Sequence, residues 1–190
     1  MNGYDFDKTI YKTDSSTDFF RYMILSRPYL WIFAPWFLLV LALYGLKFMG
    51  KKKVKECLFF FVPWYGMRIE KIVDRFWSRH ANGIKDWYAN QRCDDDVIVS
   101  ASLGFIIKPM MDTLNIKKWV ATNYNIRTGR IEGENCYGEE KVIALNKITE
   151  SKNLDAFYSD SMSDLPLMKK AKKAYLVDGD NVKEIDVSNL

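Results

Sequence analysis

The chain has 190 residues, 48% of them hydrophobic and 27% charged, with a formal net charge of +4 and only 10 Gly and 5 Pro. That length suits one domain, or one core carrying a sizeable insertion, and the composition excludes a disordered, collagen-like or low-complexity chain. Three scattered Cys without a CxxC pair and a single His support neither a disulfide framework nor a zinc site, so a reducing compartment is the simplest setting.

In chain order, residues 2–6 read as a short strand leading into YDFDKT. Asp5 and Asp7, two apart in extended chain, point to one side, and two such carboxylates call for a cation or a shared proton. Residues 13–92 then change character. They hold 13 Lys and Arg against 6 Asp and Glu, while the remainder holds 15 against 18, and they carry 19 of the 29 aromatic side chains. A basic, aromatic insert therefore interrupts a mildly acidic body.

That body alternates strands with helices. Residues 97–100 (VIVS), 119–122 and 156–159 read as buried strands, and the pattern predicts an α/β fold with a Rossmann-like parallel sheet whose functional groups gather at the carboxyl ends of the strands. Residues 123–137, with Thr-Gly and Glu-Gly turn signals, read as a small hairpin or irregular excursion. Ser100 closes the VIVS strand, where its hydroxyl and the following N–H groups can hold phosphate oxygens. Lys141 opens a helical stretch and can neutralise charge beside it. Asp160 and Asp164 repeat the paired acids in YSDSMSD, and four acids brought together make an oxygen-rich site suited to Mg²⁺. The lysines of residues 169–173 (KKAKK) read as the solvated face of a helix, and residues 175–187 as a terminal strand turning at Asp178-Gly179. His80 and the methionines read as packing or surface residues.

The order DFDKT, VSAS, GEEK, SDSMSD resembles the haloacid dehalogenase-like superfamily, in particular its phosphoserine-phosphatase-like branch, marked by DxDxT, a Ser/Thr, a Lys and a final DxxxD. The resemblance spans Asp5 to Asp164 and implies a core of residues 1–12 and 93–190 with a helical cap of the C1 type at 13–92. It implies that Asp5 is the nucleophile of an aspartyl-phosphate mechanism and Asp7 the general acid and base. Mg²⁺ would be held by Asp5, the carbonyl of Asp7 and Asp160, with Asp164 supporting from behind. Ser100, Ala101 and Lys141 would bind the phosphoryl oxygens, and Thr9 would brace the first loop. Asp7 separates the chain from the dehalogenase branch, which lacks it. One departure is Lys8, where many members have Gly.

Within the insert, residues 28–46 run 19 positions without a charge between Arg27 and the lysines at 47 and 51–53, and residues 57–67 form a second uncharged run. The first is long enough to cross a bilayer and the second is not. Because Asp5 and Ser100 must share one site, an odd number of crossings between them is excluded. Pro35 offers a break for a shallow V lying in one leaflet, with Trp31, Trp36, Trp64, Tyr65 and the lysines at the interface. The expectation is a monotopic, partly inserted cap on the cytoplasmic side of an anionic membrane; the alternative is a hairpin enclosed within a soluble cytoplasmic protein. The segment after the first motif looks like that of membrane-associated phosphatidylglycerophosphatases of the same branch, which implies a phosphatidyl or lysophosphatidyl phosphate monoester as substrate. The competing substrate is a small molecule such as phosphoserine, with Asp14 meeting its ammonium and Arg68 or Arg75 its carboxylate. Nucleic acid is not an expected partner, because the basic residues flank apolar runs instead of forming a polar stripe.

Overall fold

The computed structural model describes residues 1–149 and 154–187. Its strands are β1 (Asn2–Tyr4), β2 (Val97–Leu103), β3 (Lys118–Thr122), β4 (Tyr124–Asn125), β5 (Arg130–Ile131), β6 (Leu154–Ser159), β7 (Ala171–Asp178) and β8 (Asn181–Ile185). Six of them form a sheet in the order β3-β2-β1-β6-β7-β8, parallel except for the edge strand β8. The α/β parallel-sheet expectation is met, and the Asp178-Gly179 turn joins β7 to β8, with Gly179 at φ 59°.

Alternation along the strands splits the core into two layers. Ile98 and Tyr4 face one apolar cluster, and Val97, Val99 and Phe157 face the other. The first cluster is closed by α1 (Ser15–Ser26), α4 (Arg68–His80), α5 (Asp86–Gln91) and α6 (Gly104–Thr113), which contribute Phe19, Phe76, Tyr88 and Ile106. The second is closed by α7 (Glu139–Ile148) and α8 (Leu165–Met168) through Leu145 and Leu167. Residues 13–92 thus share one continuous core with the sheet, and the Trp77 indole donates to the carbonyl of Ile106 at 2.6 Å, tying α4 to α6.

The insert also reaches outward. Residues Pro28–Phe33 form a 3₁₀ turn, and α2 (Ala34–Gly45) follows with Pro35 in its first turn, where the missing N–H is harmless. The chain reverses through residues 46–50, with Lys47 at φ 61°, and returns along α3 (Lys51–Leu58). The stretch Pro28–Gly45 is long and apolar enough to cross a membrane by length and composition, yet only 17% of it is buried. Ile32 is 77% exposed, Leu38 68% and Phe48 80%. So many exposed apolar side chains in one stretch of chain are unusual for a monomer in water.

The KKAKK segment is not helical. Lys169 and Lys170 form the turn after α8, which ends at Met168, and residues 171–173 begin β7. The charged pattern suits a helix face, but pairing beside β6 overrides it. Lys172 meets Asp155 at 2.7 Å and Lys173 meets Glu184 at 3.5 Å on the flanking strands.

Candidate active site

The order β2-β1-β6 makes β1 the point from which the chain departs to either side, so the carboxyl ends of these strands frame a crevice. A cavity of about 360 Å³ opens there. Its wall carries Asp5 and Asp7 from the loop after β1, Ala101 from β2, Lys141 from the first turn of α7, and Asp160 and Asp164 from the segment after β6.

At the centre lies a buried ion triad. The Lys141 ammonium is 2.9 Å from Asp5 Oδ1 and 2.6 Å from Asp164 Oδ2. Asp5 Oδ1 also accepts the Phe6 N–H at 2.8 Å, and Ser159 Oγ donates to Asp164 Oδ2 at 2.8 Å. Burial raises the Asp5 carboxyl to about 7 against the opposing pull of Lys141, with Asp164 and Asp7 adding to the rise. Burial opposes the Lys141 charge too, but the two carboxylates outweigh it and hold the ammonium above its ordinary value.

Asp7 faces a different set of groups. Its Oδ1 accepts the Ser15 N–H at 2.8 Å, at the amino end of α1, where the helix dipole favours negative charge. Its Oδ2 accepts from Ser102 Oγ, which also contacts Ser15 Oγ at 2.9 Å and Ser16 Oγ at 3.0 Å. Burial raises this carboxyl to about 6, Asp14 adding to the rise and the Ser102 and Ser15 bonds limiting it. A group poised there can give and take a proton near neutrality.

Two expected residues lie behind the wall. Thr9 is fully enclosed, and its Oγ1 accepts the Asp160 N–H at 2.9 Å, joining the loops after β1 and β6. Ser100 was expected at a strand end, but β2 runs on to Leu103, with an irregular register against β3 between Val99 and Leu103. Its side chain is fully enclosed, and Oγ accepts the Ser102 N–H at 3.0 Å. Ala101 is the member of that pair that reaches the cavity.

Ser102, Lys55, Asn135 and Tyr137 were not singled out from sequence, and Lys51, expected among the lysines at a membrane interface, lines the cavity. The serine was signalled by its i, i+2 spacing from Ser100, and the lysines by i, i+4 spacing on one face of α3. The ribbon β4-β5 clamps α3 to the core: the Ile131 N–H donates to Glu56 at 3.0 Å, Arg130 meets Glu56 at 3.2 Å, and Tyr124 OH donates to the carbonyl of Phe59 at 2.8 Å. The clamp sets Lys55 against the carbonyl of Ala101 at 2.5 Å and Asn135 Oδ1 at 2.6 Å. Burial lowers the Lys55 ammonium to about 8, though Asp7 and Asp14 favour its charge.

Lys8 takes a left-handed conformation, φ 57°, and Lys85 Nζ fixes the loop by bonding the carbonyl of Lys8 at 2.6 Å and that of Gly179 at 2.5 Å. This conformation strains any residue with a Cβ, which explains why Gly suits the position. Lys8→Gly is expected to stabilise the fold by about 0.5–1 kcal/mol, the relief of strain exceeding the added chain entropy. A higher midpoint of urea unfolding at unchanged slope would check it.

The donor set fits a hard divalent cation: Asp5 and Asp160 carboxylates beside the Asp7 main chain, all oxygen ligands. Asp164 is 1% exposed, and its Oδ1 has no hydrogen-bond partner among the described residues, an orphaned acceptor of the kind such an ion and its waters would satisfy.

The sequence model of the haloacid dehalogenase-like hydrolases matches residues 3–169. Over 100 residues the chain is 33% identical to a Mycobacterium tuberculosis protein named a probable phosphatase, a match covering 48% of this chain and 35% of that protein. The chain thus spans about a third of the length of the curated relatives it matches. A protein of unknown function from Bordetella pertussis Tohama I superposes with a TM-score of 0.71 at 20% identity, covering 92% of this chain and 87% of its own. A phosphoserine phosphatase solved as a phospho-aspartyl intermediate analogue superposes at 0.55 with 15% identity, covering 91% and 83%. A phosphoserine phosphohydrolase-like protein from Francisella tularensis gives 0.53 at 18%, covering 91% and 84%. At these identities the likeness is one of fold.

Proposed function

The chain belongs to the haloacid dehalogenase-like hydrolase family, and from that premise we propose that it is a Mg²⁺-dependent phosphomonoesterase acting on an amphiphilic phosphate at a membrane surface. The observation that carries the hydrolytic part is the buried Asp5–Lys141–Asp164 triad, facing a cavity that Asp7 also enters.

In this reading the Asp5 carboxylate attacks phosphorus, the bond from phosphorus to the leaving oxygen breaks, and the Asp7 carboxyl gives that oxygen its proton. The alcohol departs. Asp7, now a carboxylate, takes a proton from water as the water attacks the aspartyl-phosphate, which releases inorganic phosphate and restores Asp5. Lys141 and the Ala101 main chain hold phosphoryl oxygens. Ser100 acts one layer back, fixing the turn through Ser102, and Thr9 holds the Asp160 loop in place. Bound by Asp5, the Asp7 carbonyl and Asp160, with Asp164 behind, Mg²⁺ would offset the repulsion between a carboxylate nucleophile and a phosphate dianion.

The membrane part is supported by the exposed apolar side chains of residues 28–48 and the lysines beside them. The chain reverses after α2 and packs α3 against it, which supports a monotopic reading over a single crossing. The phosphoserine reading is weaker here: Asp14 lines the cavity, but the exposed Arg68 and Arg75 of α4 do not.

Two measurements test the proposal. With Mg²⁺ and detergent, kcat/KM for phosphatidylglycerophosphate is expected to exceed that for phosphoserine, and the reverse preference defeats the lipid reading. In flotation with anionic vesicles, Ile32→Glu with Leu38→Glu is expected to weaken binding by about a hundredfold or more, each apolar side chain being worth about 1.5–3 kcal/mol. Equal flotation of variant and parent would remove the membrane from the account.

A further inference from the structure

A second cavity, about 300 Å³, adjoins the first. Asp7, Asp14, Lys55 and Ala101 belong to the walls of both. The first is lined by acids and lysines. The second has its apolar surface from Phe20, Leu41, Leu58 and Phe59, with the hydroxyls of Ser16, Thr17 and Ser102 also in its wall. Leu41 is 48% exposed on α2, so the slot borders the same apolar face that carries Leu38.

Chemistry orients these two spaces. The phosphoryl group belongs with the Lys141 triad, and the oxygen that leaves must come within proton reach of Asp7. Whatever that oxygen carries then continues into space that Asp7 also borders. The Phe20, Leu41, Leu58 and Phe59 side of that space is stabilised by covering it with apolar matter, which a short charged group would leave bare. Lys55 stands at the junction, its ammonium held by two neutral acceptors, so its charge can favour the phosphoryl group passing beside it.

We propose that the second cavity is the leaving-group subsite and that it takes the unbranched alkyl or acyl tail of the phosphate monoester. This rests on the phosphomonoesterase reading and assigns that reading's substrate class to a place in the structure.

The test is kcat/KM with Mg²⁺ for monoalkyl phosphates from ethyl to octyl, kept below micelle-forming concentrations, beside p-nitrophenyl phosphate. The parent is expected to gain about three- to fourfold per added methylene until the slot is filled. Leu58→Trp, which fills the slot, should collapse the octyl-to-ethyl ratio by at least tenfold, and Leu41→Ser, at a half-exposed position the fold tolerates, should reduce it severalfold. These are ratios within one enzyme, so a partly unfolded sample does not alter them. A flat chain-length series with p-nitrophenyl phosphate still hydrolysed overturns the subsite and leaves the phosphatase standing. A rising series that neither variant changes places tail binding elsewhere and also overturns it. Absence of turnover for every ester, p-nitrophenyl phosphate included, overturns the phosphomonoesterase reading itself.

Discussion

Replacing Asp5 by Asn is expected to reduce Mg²⁺-dependent phosphate release from an aryl phosphate by at least about 10⁴-fold, in the range seen when a nucleophile is removed. The fold should survive. An Asn oxygen can still accept the Phe6 N–H, and Lys141 keeps its 2.6 Å partner Asp164, so no buried charge is left without a counter-ion. Asp7→Asn is expected to behave differently. Its loss should be about 10²–10⁴-fold, the range for general acid–base catalysis. With a good aryl leaving group the first transfer proceeds with less help, while the water attack still lacks its base, so an acid-stable phosphoenzyme should accumulate in Asp7→Asn and be missing in Asp5→Asn. Rapid acid quench with labelled substrate, followed by counting of protein-bound phosphate, reads both at once. Equal labelling of the two variants would exchange or remove the assigned roles.

The parts of this site that were legible in the sequence are those set by local pattern. DFDKT follows a short strand, and the β-branched run Val97, Ile98 and Val99 announces a buried strand whichever neighbours flank it. What brings Asp5, Lys141 and Asp164 together is the strand order, and that order follows from the family resemblance and not from any one segment. Ser100 shows where local pattern stops. VIVS reads as complete, but pairing with β3 carries the strand three residues further and turns Ser100 inward. Lys55 was hidden for a similar reason. KKKVKE is an ordinary basic helix until the ribbon of residues 124–131 grips Glu56 and sets the residue before it, Lys55, against Ala101. The uncharged run at 28–46 gave its length directly, but the expected V at Pro35 is not formed: Pro35 fits the first turn of α2, where no N–H is needed, and the reversal falls at residues 46–50 instead.

Lys141→Met should be the most destabilising single change in the site, costing about 3–5 kcal/mol in EDTA, because it breaks a buried ion pair from one side. The parent has one ammonium between two carboxylates, and the variant leaves Asp5 and Asp164 buried with no cation among them. The loss should depend on pH, with a sign that can be worked out. The folded-state value of Asp5, about 7, already results from burial acting against Lys141, so removing that opposing charge raises it further. A carboxyl whose folded pKa exceeds its unfolded value of about 3.9 binds more protons when folded, and unfolding free energy then falls as pH rises. The variant should therefore be less impaired at pH 5 than at pH 8, its stability declining from about pH 4 upward through the raised Asp5 value. Adding Mg²⁺ at pH 8 should recover part of the loss, since a cation that binds only the folded state stabilises it by mass action. Urea unfolding at the two pH values, with EDTA and then with Mg²⁺, measures all three effects. A variant as stable as the parent in EDTA at pH 8 would mean that Lys141 does not hold these carboxylates together.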